Sequence, residues 1–178
     1  MSSAKFHFFY LVLLLLQLPF SSCEIKNHSS HRITFGNALL YNQYIVERHK
    51  ELIEDVDIFN LAIEHDYSFA AKTLDSVLIH SIQSLEDIEQ MEPYKGDSSF
   101  REVSADIFKY YSGTFIEESK KVIELKAKAD SGKADYDEIK TLNNLAKKID
   151  MHSQPLQKRL EEIQVRFARK NNLTLSVK

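Results

Sequence analysis

"YDEIKTLNNLAKKIDMHSQPLQKRLEEIQVRFARK", residues 136–170, decides the fold. Along it Ile139, Leu142, Ala146, Ile149, Ser153, Leu156, Leu160, Ile163 and Phe167 recur at steps of three and four. A helix turns once every 3.6 residues, so these side chains share one stripe, and the spacing predicts a helix over about 135–170 whose stripe forms the seam of a bundle. Pro155 interrupts it. Proline inside a helix removes a hydrogen bond and crowds the turn before it, at about 3 kcal/mol. The stripe keeps its phase across Pro155, which predicts a kink rather than a chain reversal.

Three more stripes precede it. Ala38, Tyr41, Ile45, His49, Leu52, Val56, Phe59 and Ile63 predict a helix over about 36–66. Ala70, Leu74, Leu78, Ile82, Leu85 and Ile88 predict a second over about 68–92, with Ser68 as its cap. Phe100, Val103, Ile107, Tyr111, Phe115, Val122, Leu125 and Ala129 predict a third over about 98–130. Pro93 stops the second, Asp97 or Ser98 starts the third, and Gly132 occupies the position after a helix end that favours glycine. No window alternates with the period of two that a strand requires. Four long helices with short connections give an all-α, antiparallel up-down four-helix bundle, its fourth helix kinked near Pro155.

Charge agrees with that order. The first two helical segments are strongly acidic, and residues 131–178 carry six acidic and ten basic residues. In a closed up-down bundle the fourth helix lies beside the first, so the expectation is pairing along that edge. The basic run "KRLEEIQVRFARK" (158–170) reads as a solvated or paired face rather than as a lipid- or glycan-binding surface.

The N-terminus reads as an address. "MSSAKFHFFYLVLLLLQLPF" has a positive start at Lys5 and an almost wholly apolar run from Phe8 to Leu18, ended by Pro19. That run is shorter than the roughly 20 residues that span a bilayer, and its exit is rich in small residues, as in a secretory signal. Two exits fit. Cleavage after Cys23 would discard the thiol and release a secreted chain. Cleavage before Cys23, within "FSSC", would leave the thiol to carry lipid, although Phe20 departs from the leucine or valine usual there. Cys23 is the only cysteine, so it has no disulfide partner, and acylation accounts for it better. The expected organisation is a signal peptide over 1–22, a flexible polar tether over 23–34 and a helical domain over 35–178. From Cys23 onward there are 22 basic and 26 acidic residues, since Lys5 is the one charge before it. That balance lacks the basic excess of a nucleic-acid binder.

Chemistry-bearing patterns are sparse. The di-iron bundle motif needs Glu three residues before His, but Val46, Ala62, Val77 and Ile149 precede His49, His65, His80 and His152. Neither a zinc spacing nor a glycine-rich phosphate loop occurs. His28 and His31 read as solvated tether. Asn27 and Asn172 match the N-glycosylation pattern, which matters only in a eukaryotic secretory route. No metal, cofactor or catalytic residue is therefore expected, and the chain is not expected to be an enzyme. His49 is the one polar member of the first stripe and is expected to be a core histidine bonded to a tyrosine hydroxyl or Ser153. "FKYYSGTF" (108–115) places Tyr110 and Tyr111 beside Gly113, whose lack of a side chain suggests close approach by a neighbour. His49, Tyr110 and Tyr111 are thus the candidate ligand-binding residues, lining an aromatic pocket between helices.

"ALLYNQYIVERHKELI" (38–53) and "QVRFARKNNLTL" (164–175), with Tyr41 and Asn42 in the first and Gln164, Phe167 and Ala168 in the second, resemble a family of uncharacterised helical bacterial surface lipoproteins, of the kind found in spirochaetes and Bacteroidota. The resemblance spans about 40–175. It implies an envelope location, outer membrane or surface, and lipid on Cys23, and it brings no reaction. The expected function is a lipid-anchored, non-enzymatic binding or interaction module. Its expected partners are the membrane, through Cys23, and an envelope or extracellular protein or glycan, with no nucleic acid. The alternatives are a freely secreted helical protein and a small-ligand carrier using the aromatic pocket.

Overall fold

The structure is a computed structural model and describes residues 32–175. Cys23, His28, His31 and Asn27, with the expected signal segment and most of the tether, lie outside the described residues. The chain forms α1 (Ala38–Ala62), α2 (Tyr67–Gln90), α3 (Ser99–Tyr110), a π-helical turn (Tyr111–Phe115), α4 (Ile116–Asp130) and α5 (Tyr136–Lys170). α3, the π turn and α4 run on without a break, so the molecule is a bundle of four rods. This is the expected all-α architecture, and the described residues contain no strand beyond two isolated bridges.

Local chemistry sets the ends. Asn37 caps α1 by accepting from the Leu40 N–H. Asp66, not Ser68, caps α2 by accepting from the Phe69 N–H at 2.9 Å. Asp135 and Glu138 cap α5 reciprocally, each side chain taking the other's backbone N–H. Lys95 and Gly96 both have positive φ and turn the chain tightly between Tyr94 and Asp97. Gly132, at φ 71, ends α4 with the paired carbonyl bonds of a Schellman motif, from Lys133 to Lys128 and from Gly132 to Ala129.

The eight-residue stripe of α1 is wholly buried. The face of α2 is the expected one in part: Ala70, Leu74 and Ile88 are buried, and Leu78 and Leu85 are half-buried against the core. Ile82 is exposed, and the buried residues are Ala70, Thr73, Leu74, Val77, Ser81, Ser84 and Ile88. These are mostly small, and α2 needs small residues because it packs against α1 on one side and the third rod on the other. The tether also ends earlier than expected. The Ile33 N–H donates to the Gln90 carbonyl at 2.8 Å and its carbonyl accepts from Glu92 at 2.9 Å. Arg32 pairs with Glu92 at 2.7 Å. Residues 32–34 therefore belong to the bundle.

α5 packs along the third rod, and its cations pair with that rod and the turn before it: Lys148 with Glu118 at 2.7 Å, Arg159 with Asp106 at 3.0 Å, and Lys170 with Asp97 of the turn at 2.7 Å. Among the described residues no ion pair joins α5 to α1. The expected neutralisation along that edge gives way to pairing with helix three, because α5 meets α1 closely only near its C-terminal end. There Phe167 stacks on Tyr41 at 5.3 Å and Gln164 Nε2 donates to Asn42 Oδ1 at 3.3 Å. The buried residues of α5 are Leu160, Ile163, Phe167 and Ala168, all beyond Pro155. Before it, Leu142, Ala146 and Ile149 are half-buried and Ile139 is exposed.

α5 continues through Pro155, as the unbroken phase predicts. Pro155 and Met151, whose carbonyl loses its partner, are both exposed, so water can take up the bond. Replacing Pro155 with alanine restores that bond, and urea unfolding of Pro155→Ala should show a gain of about 1–3 kcal/mol; an unchanged or lowered midpoint would contradict a tolerated break on a wet face.

Candidate functional site

The three sequence-predicted site residues do not share a pocket. His49 is buried, its ring stacked on Phe108 at 4.7 Å, and neither Ser153 nor a tyrosine hydroxyl bonds it: Nε2 has no hydrogen-bond partner among the described residues. The space beside it, shared with Tyr111 and Gln157, is about 20 Å³, room for no more than one water. Tyr110 turns the other way, donating to the Ile149 carbonyl at 3.3 Å and packing edge-on against His152. The three residues line no common pocket, and large rings packed against one another fill the space around them. Burial pushes the Tyr111 hydroxyl up to about 12 and raises that of Tyr110 as well, so both stay protonated.

Gly113 does not admit a close neighbour either. A methyl group there would meet nothing within 4 Å. The glycine instead lies in the π-helical turn, where Ser112 Oγ donates to the Phe108 carbonyl at 2.8 Å. Such turns insert one residue into a helix and shift the phase of the side chains that follow.

The roomy site lies further along. Where α5 stands off from α1, a cleft of about 530 Å³ opens between α1, α4 and α5. Phe59 of α1, Ile63 just past its end, Phe115 of the π turn, Val122 of α4 and Leu142, Ala146 and Ile149 of α5 make it largely apolar. Its polar members are Asn60 on α1, Glu64 in the turn that follows it, Ser119 and Lys126 on α4, and Asn143 on α5. Lys126 Nζ lies 3.3 Å from Glu64 and 3.6 Å from Asp130. Ser119 Oγ and Asn60 Nδ2 are buried without a hydrogen-bond partner among the described residues. Next to Ser119, buried Glu118 pairs with Lys148 and ties α4 to α5 beside the cleft.

A signal for this site was present in the sequence. The apolar stripe of the third helix skips from Phe115 to Val122, and the positions it skips hold Glu118 and Ser119. On α5 the small Ala146 takes a seam position where a larger residue would close the gap. No group of histidine, cysteine and acidic residues among the described residues could hold a metal, and none of the described helices is long and apolar enough to cross a membrane. Compared with family models, curated proteins and solved structures, the chain matches none.

Two predictions follow from this geometry. Burial lowers His49 from its usual 6.5 to about 3. Between those values the unfolded chain binds a proton that the folded chain refuses, so stability is full above about pH 6.5 and falls by about 1.4 kcal/mol for each unit below it. From pH 6.5 to 4.5 the wild type should lose about 2–3 kcal/mol through this group, and His49→Leu should flatten that part of the profile; equal slopes would show that His49 titrates normally. Gly113→Ala, with open space around the added methyl, should raise unfolding stability by about 0.5–1 kcal/mol. A loss of that size would mean that the π turn itself needs glycine.

Proposed function

We propose that this chain is a non-catalytic binding module that works outside the cytoplasm, held at a membrane by lipid on Cys23, and that its ligand enters the cleft between α1, α4 and α5. The cleft carries the reading. Its volume, about 530 Å³, falls within the roughly 300–1,000 Å³ of small-molecule sites, and it combines an apolar floor with a few polar groups, as such sites do. A bundle built only to present its outer surface has no need of an open edge: one larger residue in place of Ala146 would help to close it. The N-terminal pattern supports the membrane placement, with its positive start at Lys5, short apolar run and lone Cys23. Anchored in this way, the cleft would meet ligands released from or inserted into a lipid surface.

The test is binding of N-phenyl-1-naphthylamine, a neutral dye that brightens in apolar sites, to the full chain and to Ala146→Phe. The wild type should bind it saturably at one site, and the phenylalanine should weaken binding about tenfold or more by filling the cleft. Absence of binding, or equal binding by both chains, would overturn the cleft reading. The anchor is tested separately, by feeding an alkyne fatty acid to bacteria that express the wild type or Cys23→Ala. Label on the wild type alone supports lipidation; an unlabelled chain beginning at Glu24 would make this a freely secreted module.

A further inference from the structure

The polar groups of the cleft narrow what can occupy it. Ser119 is 0 % exposed, and its Oγ has no hydrogen-bond partner among the described residues. A serine inside a helix ordinarily donates to the carbonyl one turn back, as Ser104 does to Phe100 at 2.9 Å and Ser112 to Phe108 at 2.8 Å. Ser119 does not, and it lines the cleft. On α1, Asn60 lines the same cleft, and its Nδ2 is likewise buried and unpaired among the described residues. A buried donor without an acceptor is destabilising, so two of them in one apolar hollow point to an acceptor that arrives with the ligand.

Charge decides which acceptor. Lys126 is the one cation among the described lining residues, and it already lies within 4 Å of both Glu64 and Asp130. An anionic head group would find that cation neutralised and a carboxylate left over. A neutral carbonyl would meet two free donors and no repulsion.

We infer that the cleft selects a neutral, mainly apolar molecule with a single carbonyl acceptor, an ester or amide of a hydrocarbon chain, whose oxygen is held by Asn60 Nδ2 and Ser119 Oγ. The inference rests on the cleft being the binding site. The hydrocarbon chain lies along Phe59, Phe115 and Val122, and the carbonyl turns toward α1 and α4. Hydrogen bonds made to two buried donors separate an ester from an alkane of equal length, and the matched charge separates it from the free acid.

The test is displacement of N-phenyl-1-naphthylamine from the full chain by methyl decanoate, by undecane and by decanoate at a pH where it is ionised. The ester should displace the dye at a concentration about tenfold below that of either other compound. Ser119→Ala and Asn60→Leu should each reduce that advantage, and together bring the ester within about twofold of undecane, while dye binding persists. Ser119→Ala deletes an unpaired hydroxyl, so its thermal midpoint should match or exceed that of the wild type. Equal displacement by ester and alkane, strongest displacement by decanoate, or a lowered midpoint for Ser119→Ala would each overturn this inference while leaving the cleft as a binding site. Failure of the full chain to bind the dye would overturn both.

Discussion

Everything in this bundle hangs from the ring of Phe167. It stacks on Tyr41 at 5.3 Å, packs at 5.5 Å from Phe100 and meets the edge of Tyr94 at 5.7 Å. Tyr41 in turn touches Tyr94 and Phe35. One side chain near the end of α5 thus joins the start of α1, the tight turn after α2 and the start of α3. Each such aromatic pair adds about 0.5–1.5 kcal/mol beyond the area it buries. Beside this knot Lys170 and Ser99 bond Asp97 and hold its carboxyl at about 2, so the charge that fastens α5 to the turn survives well into acid. Closure at this end frees the other: α5 needs no further grip on α1, and the cleft occupies the edge left open.

That open edge is sustained by residues that decline to fill it. Ser119 and Glu118 take core positions on α4 where apolar residues would bury more surface, and Ala146 leaves room opposite Phe59. The chain gives up stability at these points, as unpaired donors and unburied apolar area, and a bundle selected for stability alone would not keep them. The Glu118–Lys148 pair then limits how far α5 can swing, because parting it would leave a carboxylate buried without its partner.

The legibility of the fold followed the size of the side chains. Large apolar residues at helical spacing drew the buried stripe of α1 correctly, although the helix ends at Ala62, before its last member Ile63, and the continuous phase across Pro155 marked α5 as one helix. Ala70, Leu74 and Ile88 marked part of the buried face of α2, and the rest escaped notice because it is built from small residues: Thr73, Ser81 and Ser84 carry little hydrophobic signal, although their smallness is what lets two neighbours approach. The aromatic cluster "FKYYSGTF" suggested a pocket, yet aromatic rings fill space as readily as they line it, and only the packing shows which. The cleft was written in the polar pair Glu118 and Ser119 at the stripe positions between Phe115 and Val122, and its depth depends on how far α5 stands from α1, which no local pattern encodes. His49 was legible as a core residue; that its Nε2 stays unpaired was not, since a partner is a property of tertiary placement.

α5 grips α1 only through its last turns, and its first half, held by the third rod, stands open toward α1. Hydrogen exchange resolved along α5, with and without N-phenyl-1-naphthylamine, tests this most directly. The amides of Leu160, Ile163 and Phe167 should exchange only with global unfolding, those of Leu142 to Ile149 markedly faster, and the dye should slow the second group alone. Uniform protection along the helix, unchanged by the dye, would mean that the edge is closed and the account is wrong.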